Sequence, residues 1–305
     1  MTKLKTETYA GFAAILGAPN AGKSTLLNQL LGEKISIVSQ KAQTTRMRVL
    51  GILTDKNTQI GLIDTPGIFM PKGKMDKAMV AAAWESLEDA DAIVLLVDAA
   101  VRQPDEKTDN IIAKLKKQQR RVTLVLNKVD KIRLEKLLPL SERLNETGIF
   151  DEIFMISALT GDGVAKLKKH LMEKMPAGPW MYPEDQLTDL PERLLAAEIT
   201  REQIFRQLHD ELPYAATVIP DSWERKRDKS IIIRQTIIVE RPNHKAIVLG
   251  KNGAQIKSLG AAARTEMAKS LGHPVHLFLE VKIQAEWQEK SQYYQLFGLD
   301  ELQEQ

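Results

Sequence analysis

Eight consecutive residues, Gly17-Ala18-Pro19-Asn20-Ala21-Gly22-Lys23-Ser24, match the phosphate-cradling pattern G-x-x-x-x-G-K-[ST] at every defined position. Gly17 and Gly22 let backbone N–H groups converge on phosphate oxygens with no Cβ in the way. A helix that follows would aim its positive dipole end at the same anion. Lys23 adds a mobile positive charge for the β- and γ-phosphates, and the Ser24 hydroxyl can ligate Mg²⁺. Asn20, Ala21 and Thr25 belong to the same cradle. The chemistry so far is that of a nucleoside triphosphate, with the base open. The bland alternative is a glycine turn that holds nothing.

Three further clusters follow. Asp64-Thr65-Pro66-Gly67 ends an apolar run 41 residues after Lys23. An Asp there can hold a metal through water, and the Gly67 N–H can touch a γ-phosphate because only hydrogen occupies its side-chain position. Asn127-Lys128-Val129-Asp130 also ends an apolar run. Its Asp can accept both the ring N–H and the exocyclic amine of guanine, a pair adenine cannot offer together, and an unpaired carboxylate against the wrong base gives strong discrimination. The Lys128 stem can lie over the base. Ser157-Ala158-Leu159 ends a third run, where a backbone N–H can meet the guanine carbonyl oxygen.

These clusters need a sheet whose carboxyl edge gathers them. The apolar run Phe12 to Leu16 leads into the phosphate loop, and Thr25 to Leu31 continue it as a helix. Met47 to Thr54 and Thr58 to Ile63 read as a hairpin through Asp55-Lys56-Asn57, an antiparallel edge on a mainly parallel sheet. Helix Lys77 to Glu88, strand Ala92 to Asp98, helix Asp105 to Gln118, strand Arg121 to Leu126, strand Glu152 to Ile156 and helix Val164 to Met175 complete an α/β domain over residues 1–176. The polar Gln40 to Arg46 stretch reads as a loop.

The 305 residues suit two domains, and 43% hydrophobic and 27% charged residues are those of an ordinary globular chain. No cysteine is present, so thiol chemistry and a disulfide framework are excluded. Lys3 and Lys5 before an apolar run imitate a secretory signal, but that run is the first strand. No apolar run approaches the ~20 residues of a membrane span. The five histidines have no metal spacing; His273 and His276 read as strand residues on opposite faces.

Pro176, Gly178, Pro179, Pro183 and Pro191 fall within sixteen positions, which makes 177–191 a stiff linker. In 192–305 the alternation breaks. A long helix Glu192 to Glu211 with one apolar face, a strand Ala215 to Ile219, a charged turn Glu224 to Lys229 and a β-branched run Ser230 to Glu240 come first. Gly250-Lys251-Asn252-Gly253 then separates two helices, the second reaching Leu271, before strand Val275 to Ile283 and a terminal helix from Glu286. This α-β-β-α-α-β-α order with G-x-x-G at its centre resembles a type II KH domain, which implies an α+β fold that clamps about four single-stranded nucleotides. From Arg225 to Lys282 there are 12 Lys and Arg against 4 Asp and Glu. Lys251, with Lys257 and Arg264 on the following helix, would meet the RNA phosphates while Gly250, Asn252 and Gly253 let the backbone approach.

The four N-terminal clusters in register resemble the guanine-nucleotide-binding fold of translation-factor-related small GTPases over residues 8 to 176. By that resemblance Thr45, or less well Thr44, is the switch threonine that closes on Mg²⁺ and the γ-phosphate. Lys23, Asn20, Thr45 and Gly67 then carry hydrolysis, and Ser24, Thr45 and Asp64 the metal. Many such GTPases place glutamine after D-x-x-G to orient the attacking water; here Ile68 stands there, which implies slow intrinsic hydrolysis. In the subgroup with an apolar residue at that position, an asparagine matching Asn20 is associated with K⁺; a turn residue is the alternative for Asn20. Nearly the whole chain resembles the Era family of bacterial ribosome-assembly GTPases. The resemblance implies GTP/GDP and Mg²⁺, binding near the 3′ end of 16S ribosomal RNA in the pre-30S particle, a monomer, and a cytoplasmic place with peripheral contact at the inner membrane. A signalling GTPase that uses its KH fold as scaffold is the competing class.

Overall fold

The computed structural model describes residues 7–39, 41, 45–101 and 105–299. Thr44 and most of the Gln40–Arg46 loop lie outside them.

In the N-terminal half the strands are near-continuous apolar runs, the pattern of a sheet covered on both faces. They are β1 (Tyr9–Leu16), β2 (Val49–Asp55), β3 (Thr58–Asp64), β4 (Ala92–Asp98), β5 (Val122–Asn127) and β6 (Phe150–Met155). Their order is β2-β3-β1-β4-β5-β6, parallel except for β2, which pairs antiparallel with β3 as the hairpin reading expected. Helices α1 (Lys23–Leu31) and α5 (Val164–Glu173) pack with one set of alternating strand residues, Ala13 and Ile15 among them. Helices α3 (Glu106–Lys117) and α4 (Leu134–Asn145) pack with the other set, Ala14 and Leu16 among them. Helix α2 (Lys74–Glu85) begins three residues earlier than its apolar pattern suggests. Helix α4 has no counterpart in the sequence reading: Pro139 at its sixth position looks like a breaker, and Leu134 and Leu138 remain exposed.

The C-terminal half has the expected element order: α6 (Glu192–Gln207), β7 (Ala216–Arg225), β8 (Ile231–Val239), α7 (Pro242–Leu249), α8 (Ala254–Leu271), β9 (Val275–Ile283) and α9 (Ser291–Leu296). β7 and β8 are antiparallel, β8 and β9 parallel. The first half is therefore an α/β domain with a mixed, mainly parallel sheet, and the second an α+β domain with the element order of a type II KH fold.

Four expectations need correction. Strand β7 continues past Ile219 to Arg225, because a bulge between Pro220 and Ser222 absorbs the proline without ending the pairing. Helix α6 stops at Gln207, and it is not one-faced: all ten residues from Ala196 to Phe205 are buried. Its apolar residues meet the three-stranded sheet and α8, while Glu202 receives Lys34 from the other domain. The terminal helix begins at Ser291, after a separate turn Trp287–Glu289, and His273 precedes β9 in a loop rather than lying in a strand.

The proline-bearing linker is bound along the free edge of β2 and across the sheet's end. Ile52 N–H donates to Leu187 O (2.8 Å), and Ala177 and Thr188 bridge to Tyr9 and Gly51. Fully buried Gln59 accepts from both Met181 N and Tyr182 N (2.9 Å each) and donates to Tyr182 O (2.9 Å). Trp287, Tyr293, Tyr294, Phe297 and Leu299 return to the N-terminal half and join the cluster that contains Met75, Ala78 and Met79 of α2.

Candidate active site and nucleic-acid interface

The phosphate loop leaves β1 between β3 and β4. Gly17 and Gly22 both hold positive φ, 156° and 100°, and both are crowded. A Cβ on Gly17 would lie 2.4 Å from Leu96 O, and one on Gly22 2.4 Å from Asn127 Nδ2. Gly67 is closed in a different way: a Cβ there would sit 2.9 Å from Pro19 Cα and N, so the D-x-x-G turn lies directly on the phosphate loop. Ile68 N–H donates to Gly17 O (3.1 Å) and fastens the two. The Ile68 side chain is buried in the apolar cluster beneath, so it does not face a nucleotide. Ala21 is buried, and Thr25 is half-buried in the first turn of α1.

Register puts Asp64 opposite Ile15, at the carboxyl edge of β3. Its Oδ2 accepts from Ser24 Oγ (2.7 Å) and Ser36 Oγ (2.9 Å), with Thr45 Oγ1 at 3.5 Å; Ser24 Oγ and Thr45 Oγ1 are 2.9 Å apart. Burial pushes the Asp64 carboxyl above the usual range, opposed by the charge of Lys23 and by these hydroxyls. Its Oδ1 is buried and has no partner among the described residues. One carboxylate with an orphaned oxygen, beside two hydroxyls, is the hard-oxygen set that Mg²⁺ takes together with substrate phosphates. The residues therefore fit the ion, and Ser24, Thr45 and Asp64 are those that could hold it. Among the described residues no group of three or more His, Cys, Asp or Glu could hold a metal.

Lys23 Nζ donates to Gly17 O (3.2 Å) and Ala18 O (3.1 Å) inside the loop. Desolvation lowers its pKa to about 8, against the attraction of Asp64. Incoming phosphates would raise it again and stabilise the ammonium.

Asn127 joins three parts of the site: its Nδ2 donates to Ala21 O (2.7 Å) and its Oδ1 accepts Ala158 N–H (2.9 Å). Lys128, in the left-handed region, reaches Asn20 O (2.7 Å) and Asp98 Oδ2 (2.5 Å). Asp130 is exposed at the mouth of the site, in the turn Val129–Lys131. Ser157 N–H donates to Asp162 O and Ala158 N–H to Asn127. Of the Ser157-Ala158-Leu159 amides, that of Leu159, on an exposed turn, is the one without a partner among the described residues. Asn20 holds φ 65°, so a left-handed turn by itself explains an asparagine there.

Sequence reasoning missed Ser36, Asn28 and Asp98. Asp98 ends an apolar strand at the correct edge and could have been singled out. Ser36 carries no signal, because its approach to Asp64 depends on Asn28, whose Oδ1 accepts Ile35 N–H and Ser36 N–H (3.0 Å each).

In the KH domain the G-x-x-G loop caps α8. Gly250, Asn252 and Gly253 all hold positive φ (69°, 53° and 75°). A Cβ on Gly250 would meet Gln255 Cβ at 2.6 Å, whereas Gly253 faces open space. Lys251, Lys257 and Arg264 are exposed, the latter two seven residues apart and so on one side of α8.

Residues 12–128 match the family described as 50S ribosome-binding GTPase, and 211–288 match the KH domain family. The chain is similar to GTPase Era of Bradyrhizobium diazoefficiens (52% identity, covering 96% of this chain and 95% of that one). It is similar also to that of Maricaulis maris (49% identity, 97% and 98%). A solved Aquifex aeolicus Era variant bound to GDP·AlF4⁻ superposes with a TM-score of 0.90 at 41% identity, over 95% of this chain and 99% of that one. An Era structure in complex with MgGDPNP and nucleotides 1506–1542 of 16S ribosomal RNA gives the same TM-score, identity and shares.

Replacing Asn127 by Ala would leave Ala21 O and Ala158 N–H unpaired in a buried place, costing about 1–3 kcal/mol. GDP affinity, measured by calorimetry, is expected to fall about 5- to 150-fold. Unchanged affinity would show that the tie is dispensable.

Proposed function

Because this chain belongs to the GTPase Era family, a GTP-hydrolysing family, we propose that it couples GTP hydrolysis to binding single-stranded RNA near the 3′ end of 16S ribosomal RNA during small-subunit assembly. One observation carries this reading. A guanine-nucleotide cradle and a G-x-x-G clamp share one chain in the same arrangement as the relative seen with MgGDPNP and 16S nucleotides.

The residues divide the work as follows. Gly17, Asn20, Ala21, Gly22 and Thr25 present the loop and the first turn of α1 to the phosphates, and Lys23 neutralises the β- and γ-oxygens. Gly67 offers its N–H to the γ-phosphate. Asp130 reads the guanine N–H donors, Lys128 covers the base, Asn127 holds the Ser157-Ala158-Leu159 turn in place, and the Leu159 amide meets the guanine carbonyl. Mg²⁺, held by Ser24, Thr45 and Asp64, supplies positive charge at the phosphate oxygens when bound. The buried Ile68 cannot orient water, so intrinsic hydrolysis is slow. We assign the missing positive charge to K⁺ near Asn20. We place the domain boundaries at 1–176 and 192–305, and the protein in the cytoplasm as a monomer with any membrane contact peripheral. No helix among the described residues is long and apolar enough to cross a membrane.

Four outcomes test this. Asp130→Asn is expected to move preference from GTP to xanthosine triphosphate, since the amide donates to a 2-carbonyl; unchanged preference in competition binding would remove Asp130 from the site. Hydrolysis should run faster in K⁺ than in Na⁺ at equal ionic strength, with Asn20→Ala erasing the difference; equal rates would end the potassium assignment. Gly253→Asp places bulk and negative charge at the clamp. It is expected to weaken binding of a 3′-terminal 16S oligonucleotide at least tenfold while sparing intrinsic hydrolysis. Sequencing of crosslinked RNA should show enrichment of that terminus, and enrichment in 23S RNA instead would favour a large-subunit partner.

A further inference from the structure

The segment that leads from α1 to the switch threonine is fastened to the other domain at both ends. At its start, Lys34 Nζ meets Glu202 (2.6 Å) and Glu266 (2.7 Å), and Val38 N–H donates to Glu202 Oε1 (3.0 Å). Glu202 is fully buried on α6. At its end stands Arg46, the residue after Thr45, with only 4% of its surface exposed. Its Nη1 donates to Ala216 O (2.8 Å), and its Nη2 to Tyr214 O (2.9 Å) and Pro213 O (3.3 Å). The guanidinium also lies 5.3 Å from the centre of the Trp287 ring, whose Nε1 donates to the remaining carbonyl of the turn, Ala215 O (3.0 Å). That turn connects α6 to β7. Leu208, Leu212 and Ala216, which bracket it, are buried in the KH core.

A planar fork with five donors fits several diverging carbonyls, as a single ammonium does not. Withdrawing a buried guanidinium would strand both the cation and the carbonyls, so the Arg46 backbone is held firmly. Adjacent Cα atoms are ~3.8 Å apart, which passes the constraint directly to Thr45. Thr45 Oγ1 is in turn 2.9 Å from Ser24 Oγ.

We propose that Arg46 is a positioning residue for hydrolysis: by locking into the α6–β7 turn of the KH domain it sets Thr45 against the Mg²⁺ site, so that catalysis depends on how the RNA-binding domain is docked. The proposal rests on the reading of Thr45 as a metal-facing residue, and the test separates the two. In the full chain, Arg46→Ala is expected to lower kcat about 10- to 100-fold, as loss of a group that orients a metal ligand does, and to raise the Mg²⁺ concentration for half-maximal rate. GDP affinity in EDTA, which reports the base and phosphate contacts, should stay within about twofold. Arg46→Lys should recover part of the rate. Because Arg46 acts through Thr45, the Thr45→Ala/Arg46→Ala double variant should be no slower than Thr45→Ala alone.

Multiplied losses in the double variant, or wild-type kcat and Mg²⁺ dependence in Arg46→Ala, would overturn the role of Arg46 while leaving the site reading intact. Wild-type kcat and Mg²⁺ dependence in Thr45→Ala would overturn the site reading and this proposal with it. If Arg46→Ala fails to retain GDP, Arg46→Gln takes its place in the same comparison. Its amide fills part of the cage but cannot serve three carbonyls.

Discussion

One buried carboxylate organises the catalytic half of this molecule. Asp64 has no exposed surface, lies where the parallel register of β1 and β3 brings it beside the phosphate loop, and carries Ser24 and Ser36 on one oxygen with Thr45 beside them. A charge in such a place is tolerated only when counter-charge and hydrogen bonds compensate for lost hydration. Lys23, itself deprived of water, gives part of that compensation, and a hard cation would give the rest. The second oxygen of Asp64, buried and unpartnered among the described residues, is where the compensation is incomplete. Burial of both charges holds the site ready for a ligand that brings phosphate and metal together.

The same economy of ties appears between the parts of the fold. The linker is a strand-like cover for the β2 edge, and Gln59 serves both of its passing amides, so the open edge of the sheet is not left to pair with another chain. Helix α6 is shared, apolar toward the KH sheet and ionic toward the GTPase domain. Trp287 and the tyrosines of α9 bury themselves against α2, the helix that follows the D-x-x-G turn. Arg46 and helix α2, which follow Thr45 and Gly67 in the chain, therefore adjoin the KH domain and its C-terminal extension through packed side chains rather than through a flexible tether.

Much of the site was legible in the amino-acid order because its chemistry constrains residue type locally. Gly17, Gly22 and Gly67 sit where a Cβ would collide with backbone or with Asn127; Asp64 and Asn127 each end an apolar strand, and Ser157 lies two residues past the end of β6. These are short-range rules, readable without knowing what lies across the sheet. Helix α4 was not legible because Pro139 looks like a breaker in isolation, and its neighbours Leu134 and Leu138 stay in water. Strand β7 was cut short for a similar reason: nothing near Pro220 announces a bulge.

By itself, then, the sequence determined the phosphate loop, the D-x-x-G and N-K-x-D turns and the G-x-x-G loop, because each depends on residue types at fixed small spacings. Tertiary structure alone decided that Ser36 joins Asp64, that both sides of α6 are covered, and that Arg46 abandons solvent for carbonyls about 170 residues away in the chain. An arginine in a polar loop reads as a solvated charge. Only the approach of the α6–β7 turn and the Trp287 ring, brought there by the packing of α6 and α9, makes burial the lower free-energy state.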